Sequence, residues 1–269
     1  MKSKVQSLKS KVIQALGLLA LWTFAFGPWT VRAQCILTAD GLAAFSGTNA
    51  AGGGGGGGGS QYALVRHATA SHSGTGNAVT TAADFTGCNL FVIVVGFYQG
   101  TATASDSKGN TWTGLTTYND ASGNYHEKIF YVISPTTDAA QTFTVNAGYI
   151  RFDVYGFSVS GRTPILDSST GYTHPSGQNN TTWQPGSITP AGNNELFVTG
   201  AFWNNSATVT IDSSFIGSAG GAPDQGRENS DSGWHGAAFL AQTTGSAKNP
   251  TWTASANQSA LACAMAVFK

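Results

Sequence analysis

The sequence is poor in charge, in cysteine and in proline. Of its 269 residues only 10% are charged, and 8 prolines and 3 cysteines stand against 35 glycines. The low charge excludes a coiled coil, and glycine without a strict Gly-X-Y period excludes a collagen. Thirteen basic residues balance thirteen acidic ones, which leaves no basic surplus for binding nucleic acid.

The N-terminal 33 residues have the pattern of a secretory signal peptide. Lys2, Lys4, Lys9 and Lys11 form a positive region, Val12–Phe26 is apolar, and Val31–Ala33 resembles a cleavage site. The apolar run is shorter than the roughly 20 residues that a membrane span needs. We therefore expect cleavage near Ala33 and a secreted protein, extracellular or at the cell surface, with no membrane attachment afterwards.

Cleavage would change the charge of the chain. Residues 1–33 contain five basic residues and no acidic one, so the mature chain keeps eight basic residues against thirteen acidic ones, a formal charge of −5. Bulk electrostatic binding to nucleic acid or anionic lipid is not expected of such a chain.

Residues 34–60 are predicted to be a flexible N-terminal segment. Gly52–Gly59 is an uninterrupted octaglycine, which favours a tether with a root-mean-square span of about 15 Å. Two apolar clusters, Ile36–Leu37 and Leu42–Phe45, precede it. They suggest that residues 36–45 could add as a strand to a neighbouring copy and so mediate self-association into an extracellular filament.

Residues 61–269 show the pattern of an all-β domain. Short runs rich in Val, Ile, Phe, Thr and Tyr alternate with turn residues, which is typical of an antiparallel sandwich or barrel. The predicted strands are Asn89–Phe97, Lys128–Ile133, Thr142–Val145, Ile150–Val159, Glu195–Phe202, Ala207–Ile211, Ala237–Ala241, Pro250–Ala254 and Ala260–Phe268.

The strand pattern repeats. A shift of 106 positions places Leu90–Val92 on Leu196–Val198, and a shift of 109 places His126 on His235 and Thr142 on Thr251. We therefore expect two similar halves, about 61–165 and 166–269. They could be two small tandem sandwiches or one larger sandwich in which each half contributes to both sheets, and the short connection between them favours a single domain.

The order NLFVIVV, DSKGNTWT, EKIFYVI, TFTV and DVYGFSVSG, followed by NELFVTGAF and AMAVFK, resembles a class of largely uncharacterised secreted bacterial β-sandwich proteins. The resemblance covers nearly all of residues 61–269 and rests on strands and turns, not on a catalytic signature. It implies a jelly-roll-like fold of the concanavalin type and an exported location.

The three cysteines cannot all pair within one chain. Cys88 precedes a predicted strand and Cys263 lies within the last one, so a Cys88–Cys263 disulfide is a candidate staple; alternatively, Cys263 is a small buried core residue. Cys35 is better placed for an intermolecular bond.

The acidic residues offer little sign of catalysis. Glu127 adjoins Lys128 and is expected to form a solvated charge pair, and Glu228 lies in a polar stretch expected to be a loop. A polysaccharide-active enzyme remains an alternative without supporting spacing. Asp106–Asn110 favours a hairpin turn over a calcium loop. We expect no cofactor and no metal site.

Two aromatic–histidine pairs are the most distinctive feature. Either each aromatic ring packs in the core while the histidine ends a strand, or the rings and neighbouring polar groups form a ligand surface, since aromatic faces stack on sugars. The candidate ligand-binding residues are Trp112, Tyr125, His126, Trp203, Trp234 and His235. The predicted function is non-catalytic: adhesion or binding of extracellular glycans.

Overall fold

The structure is a computed structural model that describes residues 60–216, 224–226 and 234–269. The predicted signal peptide, the octaglycine tether, Cys35 and the candidate strand at 36–45 lie outside the described residues. Those described contain strands and no helix. The strands are β1 (Tyr62–Val79), β2 (Leu90–Tyr98), β3 (Thr103–Asp106), β4 (Thr113–Gly114), β5 (Tyr118–Asn119), β6 (Tyr125–Ile133), β7 (Phe143–Val159), β8 (Leu166–Thr173), β9 (Asn180–Trp183), β10 (Glu195–Trp203), β11 (Val209–Ile211), β12 (Asp224–Gly226), β13 (Trp234–Gln242), β14 (Trp252–Gln258) and β15 (Leu261–Phe268).

The strands form three antiparallel sheets. Sheet I has the order β1-β7-β2-β6-β4, with β3 paired to β7 and β5 paired to β6. Sheet II has the order β12-β13-β10-β15-β8, and sheet III the order β11-β14-β9. The prediction of an all-β antiparallel protein is confirmed, and the packing of sheet I on sheet II is that of a sandwich.

Three buried clusters fill the space around these sheets. The central cluster joins sheets I and II and includes Leu90, Val92, Leu196 and Phe268. The first outer cluster covers the other face of sheet I, and the second outer cluster lies between sheets II and III. Because β2, β10 and β15 are buried on both faces, they are mostly apolar on both faces instead of alternating, with Glu195 and Thr199 as the polar side chains of β10.

Each sheet is built from one continuous part of the chain. Sheet I uses strands between residues 62 and 159, and sheets II and III use strands between 166 and 268. The arrangement in which each half contributes strands to both packed sheets is therefore not observed. All three sheets nevertheless belong to one compact unit.

Strand β7 includes two segments that the sequence predicts as separate strands, Thr142–Val145 and Ile150–Val159. Its first part pairs with β3 and its second part with β2, so the strand turns a corner near Gly148. A side chain at Gly148 would place its Cβ 2.5 Å from the carbonyl oxygen of Tyr98, which explains the glycine. The next residue, Tyr149, has a left-handed backbone with φ of 43°.

The two described cysteines are free thiols. Cys88 belongs to the first outer cluster and Cys263 to the second, so both packed sheets separate them. The predicted Cys88–Cys263 disulfide is thus not formed, and Cys263 is a buried core residue instead. Burial raises the pKa of Cys88 to about 12 and that of Cys263 well above its usual range, so both thiols are unreactive.

We expect a Cys35→Ser chain to resist iodoacetamide while folded, because both remaining thiols are enclosed and protonated. Intact-mass measurement should show two added carbamidomethyl groups after unfolding in guanidinium without reductant. A chain that stays unmodified in guanidinium until a reductant is added would contradict the free-thiol assignment.

The contact of the two sheets also depends on Gly200 of β10. A Cβ there would collide with Val94 and with the Glu127 carboxylate of sheet I.

Gly200→Ala should therefore destabilise the protein by about 1–3 kcal/mol through overpacking, measured by urea unfolding. Gly192→Ala is the control, since its added Cβ would lie no closer than 3.3 Å to another group, the Glu195 carboxylate; equal losses in both variants would show that the sheets are not closely packed at Gly200.

Candidate functional site

Trp112 is held by the turn that precedes it. Its indole Nε1 donates to Asp106 Oδ2 at 2.8 Å, and its half-buried ring stacks on Phe91 over the first outer cluster. The other oxygen of Asp106 accepts hydrogen bonds from the Lys108 backbone at 2.8 Å and the Asn110 amide at 3.2 Å. The Asp106 carboxylate thus stabilises a turn, as expected, but β3 before it pairs with β7 and β4 after it pairs with β6, so this turn does not close the predicted hairpin.

His126 and His235 lie on different faces of their sheets. His126 stacks on Phe97, a residue of the first outer cluster, with ring centroids 4.7 Å apart. His235 is fully buried and contacts Glu127 of sheet I. The 109-residue shift that places one on the other is therefore wrong for these side chains, since a slip of one residue moves a side chain to the opposite face.

The six predicted ligand residues do not form one surface. Trp203 is fully buried next to Trp183 in the second outer cluster, so neither Trp203 nor His235 can present a face to solvent. The backbone of Trp234 pairs with that of Trp203, while its side chain lies outside the described part of the chain. Of the predicted residues whose side chains the structure describes, Tyr125 is the one that joins other partly exposed aromatic rings, and it is itself half-buried.

Four ionisable side chains meet between sheets I and II, and we call them the acid–histidine cluster: His67, Glu127, Asp153 and His235. His235 Nε2 lies 3.3 Å from Glu127 Oε1, and His235 Nδ1 lies 3.2 Å from Asp153 Oδ2. His67 Nε2 donates to Asp153 Oδ1 at 2.8 Å. One histidine of sheet II thereby contacts two carboxylates of sheet I.

Glu127 was expected to form a solvated pair with Lys128, and this is wrong. Neighbouring residues of a strand point to opposite faces, so Glu127 enters the space between the sheets while the Lys128 ammonium lies 4.9 Å from the ring centroid of Phe130. Nothing in the local sequence distinguishes the two faces of β6 at this position.

The charges of the cluster depend on one another. Burial alone would lower the pKa of His235, but the carboxylates of Glu127 and Asp153 raise it to about 9. Burial raises the pKa of Glu127 against the attraction of His235. Burial would also raise the pKa of Asp153, yet hydrogen bonds from His235 and His67 hold it below its usual range.

The cluster has the chemistry of an internal ion network. Glu127, Asp153 and His235 are enclosed, so a substrate in solution has no access to them. Among the residues that the structure describes, no three His, Cys, Asp or Glu side chains are placed to hold a metal ion. The arrangement stabilises the contact of the sheets, and His67 is its partly exposed member, with 17% of its side chain accessible.

A row of partly exposed rings lies at the end of sheet I, and we call it the tyrosine row: Tyr149, Tyr98 and Tyr125. The centroids of Tyr149 and Tyr98 are 5.9 Å apart, and those of Tyr98 and Tyr125 are 5.1 Å apart. Tyr125 also contacts the buried Phe202 of sheet II at 5.6 Å. Tyr149 is the most exposed member, at 36%.

The tyrosine row has a rigid polar border. Gln99 Nε2 donates to Asn124 Oδ1 at 3.1 Å. The Asp120 carboxylate accepts hydrogen bonds from the backbone of Asn124 and Tyr125, each at 2.9 Å, and from Ser122. These bonds fix the loop that carries Tyr125, so rings and amides are presented together without further ordering.

Sequence reasoning found Tyr125 but missed Tyr98 and Tyr149. Tyr98 directly follows the predicted strand Asn89–Phe97, and Tyr149 lies between two predicted strands that the structure joins into β7. Their proximity arises from the pairing of β2 with β6 and β7, which no local pattern encodes.

Comparison with family models, with curated proteins and with solved structures gives no match. Within the described residues no helix is long and apolar enough to cross a membrane.

Replacing His235 should strongly destabilise the protein. In His235→Gln the carboxylates of Glu127 and Asp153 stay buried without the imidazolium between them, which should cost about 3–5 kcal/mol in urea unfolding at pH 7. His72→Ala, on β1 but outside the acid–histidine cluster, should cost much less.

Wild type and His235→Gln also test how the stability of the protein depends on pH. The pKa of His235 is about 9 in the folded state and, by reference, about 6.5 in the unfolded chain. Its stabilising contribution is therefore complete below pH 6.5 and is lost as the pH rises through 9. The difference in unfolding free energy between wild type and His235→Gln should shrink over that interval, and a constant difference would exclude the charged pair.

Proposed function

We propose that this chain is an exported, non-catalytic protein that binds extracellular glycans, acting in adhesion or in the extracellular matrix. The observation that carries the proposal is the tyrosine row with its border of fixed amides. Pyranose rings have apolar C–H faces that pack on aromatic rings and hydroxyl groups that bond to amides.

The secreted location is supported by the sequence alone. A positive region, a short apolar run and a cleavage-like Val31–Ala33 precede the folded part. A surface rich in Ser, Thr, Asn and Gly with few charges suits contact with neutral polymers outside the cell.

The non-catalytic character is supported by the closed state of the acid–histidine cluster. General acid–base chemistry needs a titratable group within hydrogen-bond reach of the substrate. The carboxylates of Glu127 and Asp153 are instead engaged by His235 and His67 inside the protein.

We further propose that the domain arose from a duplicated jelly-roll-like unit. Sheet I contains the order β1-β7-β2-β6, and sheet II contains β8-β15-β10-β13, strands that follow one another in the same sequence order. In each part a second set of strands closes the outer cluster: β3 pairs with β7, and β11 pairs with β14.

Strand register gives the matching positions of the two halves. Gly96 of β2 faces Glu127, and Phe202 of β10 faces His235. Since Phe202 lies 106 positions after Gly96, the counterpart of His235 is Glu127. Each half thus contributes the residue at the matching strand position to the buried Glu127–His235 pair. Two copies of one unit packed face to face would give this arrangement.

Glycan-array binding of residues 34–269, with and without calcium, tests the proposal. Tyr149→Ala should weaken binding to the recognised glycan about two- to tenfold, because an aromatic contact is worth about 0.5–1.5 kcal/mol. Tyr149→Phe, which keeps the ring, should bind nearly as wild type.

Ile165→Ala is the matched control, since Ile165 is an exposed apolar side chain outside the tyrosine row. An array on which the wild-type chain binds no glycan would refute the function. Binding that Tyr149→Ala leaves unchanged would refute the tyrosine row as its site.

A further inference from the structure

A groove of about 540 Å³ lies beside sheet III, in the second half of the chain. Its lining includes Tyr172 of β8, Thr182 and Trp183 of β9, and the nearby Gln184, Asn249 and Thr251. The volume is within the range of small-molecule sites in proteins. None of these residues belongs to the tyrosine row or to the acid–histidine cluster.

The polar side chains of the groove are fixed by their own hydrogen bonds. Gln184 Nε2 donates to Thr251 Oγ1 at 2.9 Å and to the Asn249 carbonyl at 3.2 Å. Asn249 Nδ2 in turn donates to Gln184 Oε1 at 3.2 Å. Amides held in this way bind a ligand without first losing side-chain entropy.

Gly186 completes this arrangement. Its backbone N–H donates to Asn249 Oδ1 at 3.1 Å. The residue has a left-handed φ of 107°, and a Cβ there would lie 2.9 Å from Thr170 Oγ1. Only glycine meets both conditions without strain, so the backbone at this position is shaped to orient Asn249.

Trp183 supplies an unused hydrogen-bond donor. The residue is 3% exposed, and its indole Nε1 has no acceptor among the described residues. An unpaired buried donor costs roughly 1–3 kcal/mol. Since Nε1 itself is enclosed, the Trp183 side chain would have to shift slightly for a ligand oxygen in the groove to accept from it.

The lining determines the chemical class of the ligand. It contains no carboxylate, ammonium, guanidinium or imidazole group. Burial raises the pKa of the Tyr172 phenol, which keeps this group neutral. Hydroxyls and amides that both donate and accept fit a neutral polyhydroxyl ligand, whereas an anionic glycan would lose its water without gaining a cation.

The groove has no equivalent wall in the first half. β8 pairs Tyr172 with Cys263, which β10 pairs with Ala201, and Ala201 lies 106 positions after Val95 of β2. Val95 pairs with Phe152, and Phe152 pairs with Ala70 of β1. The counterpart of Tyr172 is thus Ala70, which offers neither a ring nor a hydroxyl. The groove is a feature of the second half.

We propose that this groove is a neutral-saccharide site separate from the tyrosine row. The class of ligand assigned to the groove rests on the proposed function. The location of this site does not, because it depends on residues outside the tyrosine row and is tested separately. Two sites on one rigid unit would allow a glycan polymer to bind with avidity greater than that of either site.

The experiment is an NMR titration of the mature chain labelled with ¹⁵N at tryptophan, with Trp183→Phe used to assign the Trp183 indole signal. The probes are cellohexaose, xylohexaose, mannohexaose and chitohexaose, with a sialylated oligosaccharide and an uncharged hexapeptide for comparison. A neutral saccharide should shift the Trp183 indole signal saturably, and Gln184→Ala should weaken its binding at least tenfold.

The control is Asn146→Ala, an exposed amide of the first half that bonds to Asn77 at 2.7 Å, and its affinity should equal that of wild type. Saturable saccharide binding without movement of the Trp183 signal would overturn the groove while leaving the proposed function intact. Binding of the peptide or the sialylated probe alone would overturn the ligand class. No binding of any saccharide, here and on the array, would overturn both proposals.

Discussion

The contact between sheets I and II determines the rest of this structure. It is an apolar layer interrupted by buried polar groups, and at its centre His235 of sheet II lies between Glu127 and Asp153 of sheet I. Removing one partner of a buried ion pair is costly, so this contact tolerates one relative placement of the sheets. Gly200 reinforces it, because any larger residue would separate the two layers at this point.

The surfaces proposed to bind ligand follow from that placement. Tyr125 lies at the end of the contact, against Phe202 of the opposite sheet, and Tyr149 reaches the same place because β7 turns its corner at Gly148. The groove of the second half is built on the outer side of sheet II, where Trp183 and its neighbours close the second outer cluster. Both surfaces therefore rest on fully packed strands.

Much of the fold was predictable from the sequence, since β2, β6, β10 and β15 are strongly apolar runs bounded by turn residues. Strand β1 was not predicted, because its 18 residues are mostly Ala, Ser, Thr, His and Gly and only partly buried. It is stabilised by pairing with β7 along nearly its whole length. Tertiary context can override such weak local preference for a strand.

The sequence alone determined the all-β class, the positions of the strongest strands and the turn at Asp106, since each depends on short-range preference. Tertiary structure decided which face each side chain occupies: Glu127 and not His126 contacts His235 between the sheets, and Cys88 and Cys263 lie in separate clusters. The physical reason is register. Successive side chains of a strand point to alternate faces, and this alternation can be read from the local sequence. Which of the two sets of side chains faces the partner sheet depends on pairing between residues far apart in the chain.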